Sequence, residues 1–108
     1  MPRPAYLQLN TLDDRREVHQ LLARLPPRRR VDFLNWCCRQ IRNPVGRTCP
    51  HVSPRTLRLL PAARRDDEAD QQLTNELFYD WWYLCAQHDL DQAAATQRLV
   101  ELVRHQRR

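Results

Sequence analysis

Residues 66–88 read DDEADQQLTNELFYDWWYLCAQH, and the order of polar and apolar residues in this stretch decides the fold class. At about 100° per residue, Leu73, Leu77, Phe78, Trp81, Trp82, Leu84, Cys85 and His88 sweep roughly half of a helical circumference. Asp66, Asp67 and Glu68 fall in the first turn, where the helix dipole favours carboxylates. The spacing predicts a long helix over 66–88, apolar enough on one face to lie at the centre of a bundle.

Toward the N-terminus, Val18, Leu21, Leu22 and Leu25 recur at three- and four-residue spacing and form one stripe. Asn10 or Thr11 is suited to cap that helix, with Asp13, Asp14 and Glu17 in its opening turns. Pro26 and Pro27 end it, and Pro27 suits the first position of the next helix, over 27–42. There Val31, Phe33, Leu34, Cys37, Cys38 and Ile41 fill one half of the wheel. Arg28, Asp32, Asn35, Arg39 and Arg42 take the other half, with Trp36 at the margin. The tight proline turn predicts an antiparallel helical hairpin at the N-terminus. Pro2 and Pro4 predict an extended arm over 1–10.

Residues 43–53, NPVGRTCPHVS, hold two prolines and the only glycine and read as an irregular loop. Ser53 and Pro54 start a short helix through Leu57, Leu59 and Leu60 that Pro61 is expected to end. Residues 62–70 then form a charged lead-in. Asp89 is expected to cap a final helix, with Gln92 in the third position of a capping box. Ala95, Leu99, Leu102 and Val103 make its inward face, and Arg104, Arg107 and Arg108 its end. The expectation is an all-α protein: a single compact bundle of four to five helices over 1–108.

Composition agrees. Sixteen leucines stand against one isoleucine and six valines in 108 residues, a mixture that favours helix over sheet and suffices for one core. The longest apolar run, Trp81 to Ala86, is far short of the ~20 residues of a membrane span. The opening Met-Pro-Arg-Pro-Ala lacks the apolar stretch of a signal peptide. A cytoplasmic protein with reduced thiols at Cys37, Cys38, Cys49 and Cys85 is therefore expected.

All 18 basic residues are arginine and 13 residues are acidic, giving a net charge of +5 and a mild bias toward anionic partners. Arg28, Arg29 and Arg30 open a helix, where free amides and guanidinium groups suit an anion, and Arg39 and Arg42 extend that face. Trp36, Tyr79 and Tyr83 are of the residue types that anchor interfaces. These eight residues are the candidate partner- or anion-binding surface. The plainer account is that Asp32 offsets part of the charge and water solvates the rest.

Cys49, His51, Cys85 and His88 supply a conceivable tetrahedral zinc set, but the paired knuckles of zinc sites are missing, and Cys85 and His88 are accounted for as core. No nucleophile elbow, phosphate loop or metalloprotease helix is present, so neither catalysis nor a cofactor is expected. The leading reading is a non-enzymatic interaction module that docks on a protein partner or self-associates through the arginine and aromatic surface. The alternative is binding of nucleic acid through its backbone phosphates, with little sequence preference.

Overall fold

A computed structural model describes residues 12–41, 51–88 and 90–106. Among the described residues six helices follow one another: α1 (Leu12–Ala23), α2 (Pro27–Gln40), α3 (Pro54–Arg58), α4 (Leu60–Ala63), α5 (Asp67–Gln87) and α6 (Gln92–Arg104). No strand occurs among the described residues, and no helix there is long and apolar enough to cross a membrane. The expected arm over 1–10, the caps Asn10 and Thr11, residues 43–50 of the loop, Arg42, Cys49, Asp89, Arg107 and Arg108 lie outside the described residues.

The long helix starts as its sequence requires. The Asp66 side chain accepts a hydrogen bond from the Glu68 amide at 3.1 Å, and Asp67, Glu68 and Asp70 occupy the positive first turn. Its apolar face supplies Leu73, Leu77, Trp81, Leu84 and Cys85 to the core. Val18, Leu22 and Leu25 reach that core from α1 and its turn, and Val31, Phe33, Leu34 and Cys37 from α2. Ala95, Leu99 and Val103 of α6 complete it, with Leu102 half-buried at the edge. Each large aliphatic side chain so buried contributes about 1.5–3 kcal/mol.

The proline turn between α1 and α2 is present: Pro26 caps α2 and Pro27 opens it. The two helices nevertheless lean on α5 more than on each other. His19 donates from Nε2 to Asn75 Oδ1 at 2.6 Å and sets its ring edge-on to Phe78, while Arg15 lies over Trp82. As α1 advances it meets successively earlier residues of α5, so the two run antiparallel.

Three local expectations need correction. Pro61 does not end a helix; it sits in the first turn of α4, where its missing N–H is harmless. That turn buries Ala63 against α5, so part of the charged lead-in is packed. The cap of α6 is Asp91, which accepts from the Ala94 amide at 3.1 Å. Gln92 is thereby the first residue of the helix and buried, because Leu90 enters the core and delays the helix start.

Candidate functional site

Three consecutive arginines have three destinations. Arg28 stays in solvent and meets Asp32 one turn on, at 3.5 Å. Arg29 turns toward α6. Arg30, expected on the anion-binding surface, is only 3% exposed. Its Nε donates to the carbonyls of Leu22 and Leu25, both at 2.8 Å, and Nη2 to the carbonyl of Ala23 at 3.2 Å. Nη1 and Nη2 grip the Asp70 carboxylate at 2.7 and 3.2 Å, and Nη1 also reaches the Asp70 carbonyl. One guanidinium therefore donates to three carbonyls at the end of α1, of which Leu22 also accepts from the Leu25 amide, and ties them to the first turn of α5. Arg30 is a structural joint and leaves the candidate binding set.

Arg29 and Arg39, one on each side of Trp36 along α2, line a small cleft with Asp32, Phe33, Arg98 and Leu102. The cleft has a volume of about 120 Å³, below the roughly 300–1,000 Å³ of small-molecule sites. Its floor is aromatic: Trp36 lies nearly parallel to Phe33, with ring centroids 6.4 Å apart. Arg98 of α6 sets its guanidinium over the Trp36 ring at 5.6 Å, a cation–π contact that positions the group while leaving its N–H edge for another acceptor. Three cations thus face one carboxylate, Asp32, which already pairs with Arg28. Arg98 and Leu102 were invisible as site residues because packing of α6 beside α2, and no local pattern, brings them there.

Tyr79 and Tyr83 line no part of this cleft. They project from the face of α5 turned away from Leu77 and Trp81 and are 67% and 58% exposed. The aromatic surface expected from the sequence is therefore two surfaces, one around Trp36 and one along α5.

Cys85 lies in the core, and burial above all pushes its thiol up to about 12. Among the described residues no three His, Cys, Asp or Glu side chains gather where a metal could bind. Cys37, Cys38 and Cys85 are free thiols, and burial raises all three.

A second buried polar cluster was not singled out by sequence. Thr56 donates from Oγ1 to Asp80 Oδ2 at 2.9 Å, and its amide donates to Ser53 Oγ at 3.1 Å. The two hydroxyls are 2.9 Å apart, so Ser53 O–H donates to Thr56. Burial holds the Asp80 carboxyl above its ordinary range; the hydrogen bonds from Thr56 and from the Ser53 amide pull it partly back. This closed network fastens the start of α3 to α5.

No family model matches the chain, and neither a curated protein nor a solved structure is significantly similar to it.

Proposed function

We propose that the chain is a non-enzymatic, cytoplasmic interaction module that receives an acidic segment of a protein partner in the cleft between α2 and α6. The observation that carries this reading is the convergence of Arg29, Arg39 and Arg98 around Trp36. Guanidinium groups engage carboxylates as planar forks, and an aromatic floor with Leu102 beside it suits a single apolar anchor. The volume fits such an anchor and leaves little room for a substrate with catalytic groups around it.

Phosphate-backbone binding of nucleic acid is the second reading, supported by the net charge of +5. It fits the cleft less well. The Trp36 ring already carries Arg98 and lies parallel to Phe33, so it is a poor platform for a stacked base.

The test is capture of partners from the cells in which the chain occurs, beside a variant carrying Arg29→Glu, Arg39→Glu and Arg98→Glu. Arg30 is left intact and the fold is verified by circular dichroism. Loss of proteins with acidic segments in the variant supports the reading, and unchanged capture overturns it. Nucleic acid that leaves steeply as salt rises, and is absent from the variant, moves the assignment to the phosphate-binding alternative.

A further inference from the structure

We propose that the outer face of α5 is the two-fold interface of a homodimer. This surface is separate from the arginine cleft and independent of its reading. From residue 71 to residue 87, every exposed residue of α5 is uncharged, in a chain of which 29% is charged. Gln71, Gln72, Asn75, Tyr79, Tyr83 and Gln87 stand out along this face. Its two carboxylates are half-buried and engaged: Glu76 meets Arg55 at 3.7 Å, and Asp80 accepts from Thr56. Depletion of charge with exposed tyrosine is the composition of an interface core.

The chemistry of the face selects a second copy as its occupant. Amide and phenol side chains both donate and accept hydrogen bonds, so Gln72, Tyr79 and Tyr83 pair with their own kind while Asn75, whose Oδ1 already accepts from His19, keeps its N–H groups to donate; a carboxylate or guanidinium partner satisfies only one half of each such group. Two copies of a chain with net charge +5 repel across arginine-bearing faces, whereas α5 itself exposes no cation along this strip and the neighbouring Arg55 is paired with Glu76. Exposed charges also bracket it with complementary sign. Glu68 lies on the same line in the first turn of α5, and Arg16 is exposed on α1 beside Arg15, which packs over Trp82 toward the other end. Antiparallel pairing about an axis near Asn75 sets Gln72 against Tyr79 of the second copy. It also brings Glu68 to the level of Tyr83 and Arg16 of the second copy, and opposes the two helix dipoles. Such a contact is isologous and closed.

The experiment is light scattering and sedimentation of the full chain from low to hundreds of micromolar. The expected result is a species of twice the 13.0 kDa chain mass, reduced to monomer by Tyr79→Arg with Tyr83→Arg while circular dichroism is unchanged. Glu68→Arg and Arg16→Glu are each expected to weaken association about tenfold, and the two combined to restore it. A chain that stays monomeric throughout overturns the proposal. So does a dimer indifferent to the tyrosine pair, or a charge swap that fails to restore association.

Discussion

Replacing Arg30 by methionine keeps most of the aliphatic length and removes the guanidinium. The carbonyls of Ala23 and Leu25 lose the guanidinium donor, that of Leu22 keeps only the Leu25 amide, and the Asp70 carboxylate loses its cation. The Asp70 side chain is 32% exposed and recovers water, whereas Arg30 is 3% exposed, so the heavier loss falls on the buried carbonyls. Breaking a buried pair costs about 3–5 kcal/mol, and an unsatisfied buried acceptor adds about 1–3 kcal/mol that partial hydration offsets. The expected loss is thus about 3–5 kcal/mol, a fall in melting temperature on the order of 10–30 °C for a domain of this size. Urea unfolding followed by circular dichroism at neutral pH measures it. Arg28→Met and Arg29→Met, at exposed positions, are expected to stay within about 0.5 kcal/mol of the parent. Asp70→Asn is expected to cost less than Arg30→Met. The double variant should cost less than the sum, by a coupling of about 0.5–3 kcal/mol. An Arg30→Met chain within about 1 kcal/mol of the parent refutes the role of the joint.

Trp81→Ala is expected to destabilise the fold by about 3–5 kcal/mol, because the indole is fully buried and leaves a cavity, and Trp81→Phe by markedly less; urea midpoints compare them. Thr56→Val removes the donor to the half-buried Asp80 carboxylate and is expected to cost about 1–3 kcal/mol, measured the same way. Asp80 titrates above its ordinary value of 3.8, so its contribution is complete below that value and lost as pH rises through the higher folded value. Stability measured across that interval should therefore fall less with rising pH in Asp80→Asn than in the parent. The same substitution removes a carboxylate that adds to the effect of burial on Cys38, so Cys38 should alkylate faster at fixed alkaline pH. Among Cys37, Cys38 and Cys85, mass-resolved labelling should modify Cys38 first, since it is the least buried.

Helical periodicity made the scaffold readable: the stripes on α1, α2, α5 and α6 face the core they were expected to build. Arg30 shows how charge can mislead. On the wheel it lies amid Phe33, Leu34 and Cys37, at the centre of the buried stripe, but its place in a run of three arginines suggested a surface. The stripe outranked the charge because the ends of α1 and α5 offered carbonyls and a carboxylate to receive it. Pro61 was misread because a proline can either end a helix or open one, and the cap of α6 because two aspartates, Asp89 and Asp91, compete near its start. Half of the cleft was legible on α2 as Arg29, Trp36 and Arg39. Arg98 and Leu102 depend on where α6 packs, which no window of sequence around them encodes.

The Arg30 guanidinium holds the end of α1 and the beginning of α5 at once, so neither helix can fray alone without stranding a desolvated cation. Partial openings confined to one of them are suppressed, and the amide protons of Leu22 and Leu73 should exchange with solvent together, at the pace of global unfolding. A lysine there, with a compact ammonium and no planar fork, spans one side of the joint and not the other. At position 30, geometry rather than charge dictates the residue.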